Sequence, residues 1–325
     1  MSSLKAYITI GDFYDVYHKI REKGFYFVFS KLRVIPSARI SSKWNDYKSN
    51  SDFWLIPEVQ QRWNKLITGN PTMLYEDYVV NKYFSESKEL KMLSIGCGDG
   101  YHDRNFAKYD CFSQIDAIDF SKKTIDNAVK SAKENNLNIN YFSGDFKSTR
   151  FENEFYDLIL FNSSLHHFSA VEQTLRDYVK PLLNKNGILV VFEYCGPKRL
   201  QWTDEQIKKS DALLKGMPEK FKYLYDGKSI KKRNFRPGIL RMLLVDPSEA
   251  VDSQAIVSSL KKHFKTIEHV NLGWNILHIL LKGISQNFIN DKRETKELLK
   301  HLFIEEDKFL SEGNASDAIF GIYKK

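Results

Sequence analysis

Between residues 90 and 195 the chain alternates short apolar runs with segments whose apolar residues recur every three or four positions. The runs are Met92-Leu93-Ile95, then QIDAIDFS from Gln114, INYFSGDF from Ile139, YDLILFNS from Tyr156 and GILVVFEY from Gly187. The fourth run is apolar throughout, as a strand buried on both faces requires. Between them, Ser121 precedes a helical stripe of Ile125, Ala128, Val129 and Ala132, with Ser121 the expected N-cap. A second stripe, Val171, Leu175, Val179 and Leu182, leads through a loop at Asn184–Gly187 into the fifth strand. Strands separated by helices of this length predict right-handed crossovers and a parallel sheet.

The flanks are less regular. Up to about Ser87 the chain is rich in aromatics (Phe25, Tyr26, Phe27, Phe29, Trp44, Phe53, Trp54, Trp63) and punctuated by Pro36, Pro57 and Pro71, which reads as helices and loops. After Tyr194 the alternation breaks. Asp246-Pro247-Ser248-Glu249 has the form of a helix start, with Asp as N-cap and Pro at the first helical position. FKTIEHVNL from Phe264 reads as a sixth strand, Trp274 to Phe288 as helix, with more helix to about Leu310, and DAIFGIYKK from Asp317 as a final strand. The expected organisation is an N-terminal helical cap over 1–88, a cofactor-binding core over 89–195, a helical insertion or lid lining an acceptor site over 196–260, and strands and helices completing the sheet over 261–325.

Composition bounds this picture. Of 325 residues, 42% are hydrophobic and 28% charged, ordinary for a folded globular chain with ample core. Cys97, Cys111 and Cys195 are the 3 cysteines; they lie far apart without metal-ligand or disulfide spacing, so no metal site is expected and the reading is cytoplasmic. MSSLKAYITIGDFYDVYHKI lacks the continuous apolar stretch of a signal peptide, and the apolar run at Ile276–Leu281 is too short to span a bilayer. Net charge is +8, with Lys228, Lys231, Lys232, Arg233 and Arg236 close together. Such a stretch reads first as a solvated loop and second as an attractor for an anionic substrate. No RNA-binding motif accompanies it, and no nucleic acid partner is expected.

The chemistry is announced by KMLSIGCGDG from Lys91, an apolar strand running into Gly96, Gly98 and Gly100. Glycines there let the backbone approach a ligand closely. The next strand ends on Asp119, at a separation of roughly 20 residues from the glycines, where an acid grips ribose hydroxyls. A dinucleotide turn wants G-x-G-x-x-G; here Tyr101 takes the third glycine's place and Asp99 would repel a pyrophosphate. A ligand with an ammonium and no phosphate, S-adenosylmethionine, suits this turn better than a nicotinamide.

Ligands of open parallel sheets bind beyond the strands' carboxyl ends. The second and third ends carry Asp119-Phe120 and Asp145-Phe146: Asp145 is placed to accept from an adenine amine, with Phe120 and Phe146 flanking the ring, or else serves only the turn after Gly144. Asn162, His166 and His167 follow the fourth strand, and Glu193 ends the fifth. Histidine titrates in the range a general base needs. His166 is the favoured base, His167 the alternate, and Glu193 the orienter.

At these residues the chain resembles a class I S-adenosylmethionine-dependent methyltransferase: LSIGCGDG is similar to the first motif, Asp119 to the ribose acid, GDF to the adenine-side motif, and DLILFNSSLHHF to the segment beside the donor's methionine. The resemblance implies an α/β, Rossmann-like, doubly wound seven-stranded sheet with its last strand antiparallel, and cofactor contacts at Gly96, Cys97, Gly98, Gly100, Asp119, Phe120, Asp145, Phe146 and Asn162. EYCGPKRLQW, DPSEAVDS and WLIPEVQQRWNKLITGNP resemble a bacterial subfamily associated with surface polysaccharide and flagellar glycan genes. In that subfamily paired glycines are expected where this chain has Leu272-Gly273-Trp274. Within this reading Tyr194, Arg199, Gln201 and Trp202 line the acceptor pocket, or Gly196-Pro197 merely shapes a turn and Trp202 seals the insertion. The expected reaction is methylation of a hydroxyl on a glycan, sugar nucleotide or related small molecule. N-methylation of an amino sugar or amino acid, a non-catalytic S-adenosylmethionine-binding regulator and an oxidoreductase are the competing readings.

Overall fold

The computed structural model describes residues 7–13 and 52–325. The expectations for Phe25, Tyr26, Phe27, Phe29, Pro36 and Trp44 lie outside the described residues.

Seven strands form one sheet in the order β3-β2-β1-β4-β5-β7-β6. They are β1 (Leu90–Ile95), β2 (Phe112–Asp119), β3 (Asn140–Ser143), β4 (Tyr156–Asn162), β5 (Leu183–Tyr194), β6 (Lys265–Gly273) and β7 (Ala318–Lys324). The first five pair in parallel, and the last strands are antiparallel, the mixed doubly wound sheet expected. Connections run outward from β1 to β2 and β3, then return to β4 on the other side of β1. The order therefore reverses between β1 and β4, the switch point outside whose carboxyl ends open sheets of this kind bind ligands.

The chain divides into two compact units. One comprises 64–195, 250–271 and 319–325; the other comprises 196–249 and 272–318 with the described residues up to 63. The segments 196–260 and 261–325 are each divided between them.

In the sheet-bearing unit the core is the alternation read from sequence. Leu93, Ile95, Ile118, Ile159, Phe161, Leu189 and Val191 are buried in one cluster with Val171, Leu175 and Val179 of the crossover helix. At about 25 cal/mol per Å² of apolar surface, each such side chain contributes roughly 1.5–3 kcal/mol. Ser121 caps the helix Lys122–Glu134, its Oγ accepting the Thr124 N–H at 3.3 Å, and Ile125, Ala128 and Ala132 face inward. A buried charge on β2, Asp116, is matched by the Tyr156 hydroxyl at 2.7 Å and the Asn140 amide at 2.9 Å. β5 starts earlier than expected. Leu183 pairs with Tyr156 and Ile188 with Leu158, so Asn184–Gly187 is an irregularity within the strand rather than a loop before it.

In the other unit, Phe53, Trp63, Trp202, Trp274 and His278 pack ring on ring, with Phe53 and Trp274 centroids 5.2 Å apart and Trp202 and His278 5.3 Å apart. This cluster occupies the place where the resemblance led one to expect paired glycines. Gly273 has φ +87°, and a Cβ there would lie 2.3 Å from the Glu306 carboxylate. Trp274 itself takes φ +70°, a rare conformation for a bulky residue, held by its packing. Two helix expectations are corrected here. The segment 246–249 is a turn: Asp246 accepts from the Ser248 N–H at 3.0 Å and hydroxyl at 2.6 Å, and Ala250 at φ +47° ends it. The stretch from Trp274 yields a helix only at Leu277–Leu281, because Gly283 at φ +80° breaks it before the short turn Ser285–Phe288.

Candidate functional site

The glycine turn begins where β1 ends. The N–H groups of Gly96 and Cys97 both donate to the Ile118 carbonyl, at 2.8 and 3.1 Å, tying the turn to β2. A Cβ on Gly96 would sit 2.5 Å from Cβ of Ser164, whose hydroxyl donates to the Ile95 carbonyl at 2.6 Å. Gly96 therefore permits the close approach of the β1 and β4 ends. Gly98 differs: at φ +59° its Cβ would meet nothing within 4 Å, so the backbone there fronts open space. Cys97 is a neutral thiol, pushed well up by burial and by nearby Asp103 and Asp119.

Asp119, ending β2, is anchored by the turn it serves. Its Oδ2 accepts the Gly98 N–H at 3.0 Å and its Oδ1 the Ser121 N–H at 2.8 Å. Burial raises its pKa while both N–H groups hold it down. Each oxygen keeps a second lone pair for a further donor. Phe120 is 45% exposed, whereas Phe146 is 5% exposed and packed beside Phe151 and Phe168. The expectation that both rings flank a ligand is revised accordingly: Phe146 is core, and Phe120 is the available face. Asp145 caps the short turn Phe146–Ser148, accepting from the Lys147 N–H at 3.2 Å and the Ser148 hydroxyl at 2.9 Å, so its turn role is met.

Glu193 is fully buried at the end of β5. Its Oε2 accepts the N–H groups of Ser164 and Leu165 at 2.8 and 2.6 Å, and its Oε1 the Tyr194 N–H at 2.8 Å. Oε1 also meets Nδ1 of His166. A carboxylate only accepts, so Nδ1 carries the proton and the basic lone pair falls on Nε2. Charges buried in this way are tolerated when every lone pair is used. His166 is buried; His167 is less so, its ring 4.2 Å from that of His166 between centroids. His166 is held through its Nδ1 by the Glu193 carboxylate.

Asn162 accepts from the hydroxyl of Tyr75 at 3.0 Å. Tyr75 opens the helix Tyr75–Tyr83 and stacks on His102, which meets Glu76 at 2.7 Å. Sequence reasoning missed Tyr75, Glu76, His102 and Asp103. Glu76 sits in a helix with Tyr75, Val79 and Val80, but His102-Asp103 lie in the polar run YHDRN, which carries no local sign of burial, so no sequence signal marked them. Of the acceptor candidates, Tyr194 is buried beneath His166, rings 6.1 Å apart. In the other unit Arg199 donates to the Pro247 carbonyl at 2.6 Å, Gln201 to the Pro237 carbonyl at 2.8 Å, and Trp202 is 1% exposed. Trp202 seals that unit's interior and offers no face to a sugar. Within the basic stretch, Lys231 donates to the carbonyls of Ile279 and Leu280 at 3.0 and 2.9 Å, and Arg236 pairs with Asp204. Part of that charge is therefore structural.

Residues 92–187 match the family described as a methyltransferase domain. The chain is 30% identical over 112 residues to the malonyl-[acyl-carrier protein] O-methyltransferase of Bacillus cereus, covering 34% of this chain and 40% of that protein. It is 28% identical over 156 residues to the ubiquinone biosynthesis O-methyltransferase of Rickettsia canadensis, covering 47% and 58%. The chain thus spans less than two thirds of these curated relatives. Geranyl diphosphate C-methyltransferase from Streptomyces coelicolor, solved with Mg²⁺, geranyl-S-thiolodiphosphate and S-adenosyl-L-homocysteine, aligns at TM-score 0.50 with 10% identity, over 90% of this chain and 98% of that one. That likeness is one of fold. Among the described residues no helix is long and apolar enough to cross a membrane.

Proposed function

Taking as premise that residues 92–187 form a class I S-adenosylmethionine-dependent methyltransferase domain, we propose that this chain methylates a hydroxyl group of a glycan, sugar nucleotide or related small molecule. The observation that carries the reading is the Glu193–His166 pair at the carboxyl ends of β4 and β5, on the same edge of the sheet as the glycine turn that follows β1. A methyl donor alone needs no such pair. An alcohol acceptor does, because it holds its proton at neutral pH.

The residues fit the cofactor. The open backbone at Gly98, the remaining lone pairs of Asp119 and the exposed ring of Phe120 suit a polar turn, a ribose diol and an adenine face respectively. When bound, S-adenosylmethionine supplies an electrophilic methyl group on a sulfonium. The chain's own work is to position the acceptor and to move its proton. Nε2 of His166 would take the hydroxyl proton as the O–C bond forms and the donor's S–C bond breaks, with S-adenosylhomocysteine leaving, and Glu193 would stabilise the imidazolium that results. Resemblance of EYCGPKRLQW and DPSEAVDS supports a glycan acceptor, and the O-methyltransferase relatives support oxygen as the atom modified.

The test is transfer of labelled methyl from S-adenosylmethionine to a panel of sugar nucleotides and small alcohols, with wild type, Asp119→Ala and His166→Ala. Label in a hydroxyl, lost in both variants, supports the proposal. Failure of wild type to bind the cofactor at micromolar concentration, unaltered in Asp119→Ala, removes it.

A further inference from the structure

In the unit that contains 196–249, one surface has its polar groups inside and its apolar groups outside. Within the segment 7–13, Asp12 is 8% exposed, whereas Tyr7, Ile8, Ile10 and Phe13 are 58–70% exposed. Polar atoms hold the segment down. Asp12 accepts the Thr9 and Gly238 N–H groups, each at 2.8 Å, and pairs with Arg241 at 3.3 Å. The Thr9 hydroxyl donates to the Arg236 carbonyl at 3.0 Å, and the Leu240 N–H to the Tyr7 carbonyl at 3.0 Å. These bonds set the segment beside the helix Ile239–Val245, which buries Met242 and leaves Leu240, Leu243 and Leu244 39–43% exposed. Their i, i+3, i+4 spacing puts the three leucines on one helix face.

Large apolar side chains gathered in the open mark a docking surface, and the charge beside them selects what docks. Residues 228–245 contain no acid. Of their cations, Lys231 is engaged by carbonyls, Arg236 by Asp204 and Arg241 by Asp12. Lys228, Lys232 and Arg233 are exposed and make no ion pair with a described residue. Lys232 and Arg233 come shortly before Arg236, within about 14 Å of it even were the chain fully extended. The apolar face therefore has a cationic rim and no free carboxylate. A second copy of this chain would bring two such rims together, like charge against like. An anionic bilayer accepts both features at once: the apolar side chains enter its acyl boundary and the cations meet its phosphates.

We propose that this face docks the protein on an anionic phospholipid bilayer. The apolar side chains of 7–13 and the Leu240, Leu243 and Leu244 face enter the membrane surface, while Lys232 and Arg233 lie at its headgroups. The inference stands apart from the cofactor reading, because it concerns where the protein sits and not what it transfers. A face of this size gives reversible, peripheral attachment.

The test sediments the full chain, without S-adenosylmethionine, with vesicles of phosphatidylcholine alone or with about one third phosphatidylglycerol. Wild type is expected to bind the anionic vesicles at least about 10-fold more tightly than the neutral ones, and more weakly as salt rises. Leu240→Ser/Leu243→Ser should lose roughly 10-fold or more in affinity, and Lys232→Gln/Arg233→Gln roughly 10- to 30-fold, about 5-fold for each cation. A control with the same change of net charge at exposed positions elsewhere, Lys88→Gln/Lys133→Gln, should stay within about 3-fold of wild type. If the leucine variant does not fold, Phe13→Ser tests the other half of the face at a position 70% exposed. Absence of wild-type binding to anionic vesicles overturns the proposal. So does binding that survives both the leucine and the Phe13 changes, or that the control pair lowers as much as the rim pair. A wild-type dimer that Leu240→Ser/Leu243→Ser converts to monomer, read by light scattering, gives the face to a second copy and overturns it too.

Discussion

Glu193 clasps His166 from the next strand: one carboxylate oxygen takes Nδ1 while the other receives the backbone N–H groups of Ser164 and Leu165. The carboxylate thus fixes both the imidazole and the loop that carries it. Removing the base should lower activity more than removing the cofactor's grip. His166→Ala is expected to reduce kcat about 10²- to 10⁴-fold with cofactor affinity little changed. Glu193→Gln should reduce it less, and should also lower thermal stability, because an amide cannot accept from all four donors. A pH profile of kcat that stays flat in His166→Ala with full activity would point to an amine acceptor instead.

The glycines make separable predictions. Gly96→Ala forces a Cβ to within 2.5 Å of Ser164 at φ +70°, and should destabilise the fold by more than about 1–2 kcal/mol. Gly98→Ala meets open space, so its cost is that of the left-handed backbone alone, roughly 1 kcal/mol. It should nevertheless impair cofactor binding, since the methyl group fills the approach to the turn. Denaturant melts and calorimetry on the two variants separate the effects.

Stability should fall as pH rises through the acid range. Asp103 is pushed up to about 6 and Asp317 to about 7, both by burial. Glu306 is raised from the same cause. A raised carboxyl pKa means the folded state binds protons that the unfolded state has released, so the stability these protonated groups retain is lost as pH climbs from about 4 towards 7. For Asp103 the loss is roughly 3 kcal/mol at most. Without cofactor, Asp103→Asn should melt higher than wild type at pH 8 and little differently at pH 4. Melting curves across that range would refute the account if the two proteins ran in parallel.

Trp202 should behave as core and not as an acceptor contact. At 1% exposure beside His278, Trp202→Ala is expected to cost about 3–5 kcal/mol, and Trp202→Phe distinctly less. Acceptor KM measured on Trp202→Phe should stay near the wild-type value. A large rise in KM with stability intact would restore Trp202 to the acceptor side.

By itself the sequence determined the parallel sheet, because a buried strand must be continuously apolar and a crossover helix must show its stripe; β1 to β4 and the helix capped by Ser121 are legible in those terms. It determined also that glycines and acids cluster at the strand ends, since neither is favoured within a buried strand. Tertiary structure alone decided which of those groups face one another. Glu193 meets His166 across 27 residues, Tyr75 meets Asn162 across 87, and Phe146 turns inward while Phe120 does not. It decided as well that 246–249 is a turn and that Trp274 adopts a glycine's backbone. Local patterns record the spacing of apolar residues along one element. Side-chain pairing and packing depend on elements remote in the chain, and that the Asp103 carboxyl is buried is visible only in the folded structure.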